Sequence, residues 1–161
     1  MLAHGEESRI INTCSGNGAL ITYPSTPIYA TTKSSVATIS EALYFQTLSL
    51  ESPLKVSILF PGPHVVETGL YASERNRPKN LAQESEPTFK IESLEAMKEM
   101  VSSMGKELKT THPDEVANFC LDGIKKDMYW LMPDNPDSDE AYKSFVESLL
   151  TRSNPDLPNL F

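Results

Sequence analysis

The chain has 161 residues, 39% hydrophobic and 22% charged, the size and balance of one folded domain, so wholesale disorder is not expected. A formal net charge of −8 disfavours nucleic acid or an anionic membrane as partner, because both need clustered Lys and Arg, and the one local basic cluster, "ERNRPK", is short and carries an acid. No apolar run approaches the ~18 residues of a membrane span, and "MLAHGEESRI" lacks the charged-then-apolar pattern of a secretory leader.

In chain order, the first predicted strand is "RIINTC", residues 9–14, a continuous apolar run that suits a strand covered on both faces. "SGNG" follows as a turn and "YPSTP" as a second breaker. Thr26-Pro27 then opens a helix expected to run to about Leu50, with Pro tolerated in the first turn. Val36, Ile39, Leu43, Tyr44 and Leu48 form its apolar stripe, and the small residues Ala30, Ser34, Ala37 and Ala42 permit close packing. "KVSILF", residues 55–60, is a second buried strand, stopped by "PGP". Strand, helix and strand make one right-handed βαβ unit with parallel strands.

A polar, irregular region from His64 to about Glu92 leads to a Met-rich helix over residues 91–108, whose methionines read as core or lid packing. "HPDEVANFCLDGIKK" is a helix with Pro and acids at its start and lysines at its end. "MYWLM", residues 128–132, is the next strand, and residues 135–152 are the last helix, where Asp134, Asp137 and Asp139 are helix-start acids rather than a calcium loop. Cys14 and Cys120, far apart in apolar surroundings, read as reduced thiols of a cytoplasmic protein. His4, His64 and His112 lack metal-ligand spacing, and no metal is expected.

The chemistry is concentrated in "SGNGALITYPSTPIYATTK", residues 15–33. Tyr29 and Lys33 stand at i and i+4 and share one helix face. A nearby ammonium favours a phenolate over a phenol, so such a tyrosine can take or give a proton. Ser15, at the end of a buried strand, can set its hydroxyl on the same substrate oxygen. Alone, a Tyr–Lys pair is commonplace and a serine in a Gly-rich turn is a turn residue. The order of strand, Ser15, breaker, Tyr29, Lys33 and a second strand into Pro61-Gly62 is what gives the pair weight. A serine hydrolase built on Ser15 fits less well, since "TCSGNG" is not a Gly-x-Ser-x-Gly elbow and no His or Asp is placed around it.

That order resembles the short-chain dehydrogenase/reductase family, whose signature is a strand ending in Asn-x-Ser-Ser, a Gly-containing turn, then Tyr-x-x-x-Lys. It stands here as "INTCS", "GNG" and "YATTK", and "PGPHVVET" is similar to the family's Pro-Gly loop. The resemblance implies an α/β fold, the C-terminal portion of a Rossmann-like doubly wound parallel sheet with a helical lid. It divides one partial domain, residues 1–161, into a catalytic βαβ unit (1–62), a substrate lid (63–110) and a C-terminal helix–strand–helix (111–161). It implies that Tyr29 is the general acid/base, that Lys33 favours its phenolate and holds the nicotinamide ribose hydroxyls of NAD or NADP, and that Ser15 orients the substrate oxygen. Pro61 and Gly62 pass close to the nicotinamide, Thr68 matches the threonine that contacts the cofactor, and Asn12 is structural.

The family's N-terminal strand, Gly-rich turn and helix, which bind the pyrophosphate, have no counterpart in this sequence. The chain is therefore expected to be a truncated, C-terminal half of such an enzyme, either a homo-oligomer or the complement of an N-terminal half. The implied function is hydride transfer between NAD(P) and a secondary alcohol or ketone. Leu70, Tyr71, Leu81, Phe89, Met97, Met100 and Met104 in the lid suggest an apolar one. The alternative is a non-catalytic remnant that binds a partner chain.

Overall fold

The computed structural model describes residues 1–82 and 91–158. Its centre is a sheet of three parallel strands in the order β1 (Ser8–Thr13), β2 (Leu54–Leu59), β5 (Trp130–Leu131). A short turn, α1 (Gly16–Ala19), and a long helix, α2 (Pro27–Ser49), connect β1 to β2. A second, two-stranded parallel ladder joins β3 (Val65–Val66) to β4 (Thr110–Thr111), with α3 (Leu94–Ser103) between them in sequence. Helices α4 (Pro113–Lys125) and α5 (Pro136–Thr151) flank β5 along the chain. The βαβ unit and parallel sheet are those expected from the sequence.

β1 and β2 pair in register from Ser8–Leu54 to Thr13–Leu59, so paired residues share a sheet face. On one face Cys14, Ile58 and Phe60 form the buried core, against Leu20, Val36, Ala37, Tyr129 and Met132. Burying an Ile or Phe side chain of this kind contributes about 1.5–3 kcal/mol. The tyrosine Tyr44 of α2 reaches across to Tyr129, ring centroids 4.5 Å apart.

The packed face of α2 differs from the expected stripe. Ile39 and Leu48 are 58% and 56% exposed, while Ser40 and Thr47 are buried. The hydroxyls of these two bond back to the carbonyls of Val36 (2.7 Å) and Tyr44 (2.8 Å), so neither hydroxyl is left unpaired. Satisfied in this way, a small residue packs where the sequence pattern assigns a large apolar one.

Three further boundaries depart from expectation for local reasons. The strand expected over 128–132 is only Trp130–Leu131, preceded by the Tyr129 carbonyl accepting from Ile58 N–H (2.8 Å) and the Met128 carbonyl accepting from the Ser57 hydroxyl (2.7 Å). The helix expected over 91–108 is Leu94–Ser103. Ser93 caps its start, accepting from Ala96 N–H at 3.0 Å, and Gly105 at φ 73° ends it. β3 falls in the stretch read as irregular, and β4 in the short gap between the helix expected over 91–108 and the one opening at His112. The last two helices carry side-chain caps at their starts: His112 and Glu115 form a reciprocal box on α4, and Asn135 caps α5. α4 lies on β5 through Gly123, where a Cβ would come within 2.3 Å of the Leu131 side chain.

At the amino ends of the strands, charges tie the sheet together. The Arg9 guanidinium donates to Ser57 Oγ (2.6 Å) and to Asp127, and Lys55 also donates to Asp127. These two hydrogen bonds, that from Lys55 first and that from Arg9 second, hold the Asp127 carboxyl below the usual carboxylate range. A carboxylate whose folded value lies below its unfolded one stabilises the fold above the unfolded value and ceases to as pH falls through the folded value. Asp127→Asn is expected to melt below the wild type at pH 7, with the gap closing below about pH 4, where free aspartate protonates. Thermal melts by circular dichroism between pH 7 and 3 measure it.

α1 is held against α2 by a second contact. A Cβ on Gly18, which sits at φ 102°, would be 2.2 Å from the Ala30 carbonyl oxygen. Gly18→Ala is expected to cost about 3 kcal/mol or more, combining backbone strain with overpacking against an immovable helix backbone. The midpoint of urea unfolding checks it.

Candidate active site

The site forms at the carboxyl end of the parallel strands, the end at which open α/β sheets bind ligands. Thr13 pairs with Leu59, so Ser15 and Pro61 leave the sheet two residues beyond equivalent positions of neighbouring strands. The last ladder bond runs from Cys14 N–H to the Leu59 carbonyl, at 2.7 Å.

Ser15 caps α1, its Oγ accepting from Asn17 N–H at 3.2 Å. α1 is one tight turn in which Asn17 (ψ 111°) and Gly18 (φ 102°) leave the helical region. Asn17 is a residue that sequence reasoning passed over. Its amide donates to Thr26 Oγ1 (2.8 Å) and accepts from Tyr23 N–H (3.1 Å), which folds the "YPSTP" segment back onto the turn. With Gly18 against Ala30, the turn after Ser15 is seated on the first turns of α2, where Tyr29 stands. An Asn between two glycines was the available signal.

Tyr29 is partly exposed, at 36%. The Lys33 ammonium lies 5.7 Å from its ring centroid, within cation–π range. Lys33 Nζ also donates to the Thr13 carbonyl at 3.1 Å, and the Cys14 thiol donates to the Lys33 carbonyl at 3.2 Å. Burial pushes the Cys14 thiol up, so it stays protonated and able to donate. Burial likewise pushes up the phenol of Tyr23, the other tyrosine of this segment.

Of the six residues singled out in the sequence, five gather at this end: Ser15, Tyr29 and Lys33 around the end of β1, and Pro61 and Gly62 just past β2. Thr68 is exposed two residues beyond β3, and no hydrogen bond among the described residues ties it to Ser15, Tyr29 or Lys33. Asn12 donates to Ser40 Oγ at 2.9 Å, joining β1 to α2, in keeping with a structural part. In the segment expected to form a lid, Met97 and Val101 are buried while Leu70, Leu81 and Met104 are exposed. Phe89 lies outside the described residues. Among the described residues no group of His, Cys, Asp or Glu could hold a metal, and no helix is long and apolar enough to cross a membrane.

No family model and no curated protein matches the sequence. Among solved structures, the chain is similar to the crystal structure of a short chain dehydrogenase/reductase from Burkholderia phymatum in complex with NAD. The two share 26% identity and a TM-score of 0.81, over 100% of this chain and 54% of that one. In fold, the whole chain resembles part of a short-chain dehydrogenase/reductase, spanning about half the length of the protein it matches.

Proposed function

We propose that the chain carries the catalytic part of an NAD(P)-dependent oxidoreductase of the short-chain type, moving hydride between nicotinamide and a secondary alcohol or ketone. The observation that carries this reading is the lysine held in place: Lys33 lies beside the Tyr29 ring and is hydrogen-bonded to the end of β1. Its fit to a nicotinamide ribose is a matter of donors. An ammonium has three, and with one on Thr13 O two remain for a pair of vicinal hydroxyls. Ser15 Oγ accepts from Asn17 N–H, which leaves its own proton to offer to a substrate oxygen. Tyr29, half open to solvent, gives or takes the proton at that same oxygen. Pro61 and Gly62 form the adjoining wall. A bound nicotinamide supplies the hydride donor or acceptor.

The pyrophosphate end is a different matter. Among the described residues the Gly-rich turn is α1, only four residues long and non-helical inside, which makes no helix N-terminus for a phosphate. The fit is therefore to the nicotinamide–ribose end of NAD or NADP. We read residues 1–62 as the catalytic unit, 63–110 as the substrate lid with α3 as its helical part, and 111–161 as the closing helix–strand–helix. The apolar lid residues favour an apolar substrate, and the two free thiols suit a reduced, cytoplasmic setting.

A second reading has an observation behind it. Among the described residues β1 pairs only with β2, and Ile28 is 78% exposed on α2, with Ile39 and Phe45 also open. Such an edge and face favour a partner, either a second copy or a complementing half-chain, and a non-catalytic role would rest on that partner alone.

Fluorescence titration with NADH and NADPH separates the readings. The catalytic reading expects saturable binding that Lys33→Ala weakens about tenfold or more, the loss of charge-assisted hydrogen bonds to a diol. It expects Tyr29→Phe to keep most of the binding and to lose about 10²-fold or more in turnover of a ketone. Folded protein without binding, sedimenting as a dimer or larger, would support the second reading instead.

A further inference from the structure

We propose that the end of β1 is a clasp that sets the position of Lys33, with Cys14 as its positioning residue. The inference rests on the reading of Lys33 as a cofactor-binding lysine, and it explains how that lysine is aimed. Two adjacent residues, the last of β1 and the one after it, hold one lysine. The Thr13 carbonyl takes the Lys33 ammonium at 3.1 Å, and the Cys14 thiol donates to the Lys33 carbonyl at 3.2 Å. A third attachment, Asn12 Nδ2 to Ser40 Oγ at 2.9 Å, lies seven residues further along α2, about two turns. Attachments spread over two turns fix the rotation of a helix about its axis. Tyr29, one turn before Lys33, is aimed by the same rotation.

The competing reading is that Cys14 is only a core residue. It is 2% exposed and packs with Ile58 and Phe60. Two substitutions tell these apart. Cys14→Ala removes both the donor and the packing, whereas Cys14→Ser keeps the donor and loses the packing. Filling volume alone predicts that serine is no better than alanine, since it buries a hydroxyl in an apolar cluster. A clasp predicts rescue by serine.

The readout is Lys33 itself. Trace labelling of lysine amines with acetic anhydride, read by peptide mass spectrometry on the full chain, gives the reactivity of Lys33 relative to Lys125, whose side chain is 74% exposed. Wild-type Lys33 is expected to lag. Cys14→Ala should raise its relative rate about three- to tenfold, the factor one hydrogen bond is worth, and Cys14→Ser should return it to within about twofold of wild type. Should Cys14→Ala fail to fold, Ser40→Ala, which removes the third attachment, should raise the rate in the same direction. Unchanged Lys33 reactivity in folded Cys14→Ala or Ser40→Ala overturns the clasp, and so does a serine variant that matches alanine. NADH titration of the same proteins keeps the two claims apart. The labelling pattern without cofactor binding leaves the clasp standing and removes the cofactor reading. Binding by proteins with unchanged labelling removes only the clasp.

Discussion

The parallel register of β1 and β2 is the constraint on which the rest depends. Two strands running the same way need a crossover, and α2 is that crossover. Their common direction puts Ser15 and Pro61-Gly62 at the same end of the sheet. The helix enters at that end too, because the chain must turn back there. Tyr29 and Lys33 are thus at the strand ends because they occupy the first turns of the crossover. Displacing the register by one residue would turn Ser15 to the other face and separate it from both.

The two ends of the sheet are held by different physics. At the amino end, Arg9, Lys55, Ser57 and Asp127 join β1, β2 and the approach to β5 through charge-assisted hydrogen bonds, next to solvent. At the carboxyl end the attachments are mostly uncharged: a thiol to a carbonyl, an amide to a hydroxyl, and a glycine seated against a helix backbone. One ammonium is the exception. Lys33 is a charge held beside the Tyr29 ring, and among the described residues its hydrogen bond to a strand is the one to the Thr13 carbonyl. In the proposed function, fixed geometry of this sort would spare the groups any rearrangement when a substrate oxygen arrives.

Much of this was legible in the sequence. The two strands announce themselves by apolar runs rich in β-branched residues, although β1 is half-buried rather than covered on both faces, and the helix start by Thr26-Pro27. Tyr29 and Lys33 could be paired from spacing alone, because the helix period fixes which residues share a face. What was not legible depends on contacts distant in sequence or on backbone detail. β3 and β4 have two residues each and lie 45 residues apart, from Val65 to Thr110, too little periodicity to detect. The buried face of α2 includes Ser40 and Thr47, which hide their hydroxyls on their own helix. Asn17 looks like any turn residue until its amide is seen holding the segment before α2. Asp127 looks like an ordinary loop acid after α4, and becomes the junction of three strands only once the sheet is assembled.

The central claim is that this chain alone builds the nicotinamide–ribose end of a dinucleotide site. Titration with reduced nicotinamide mononucleotide, which carries no adenylate, isolates that end, and amide NMR spectra would locate its binding. The account predicts shifts confined to residues 13–18, 29–33 and 61–62. A spectrum of folded protein that does not change, or shifts that fall elsewhere, would contradict it.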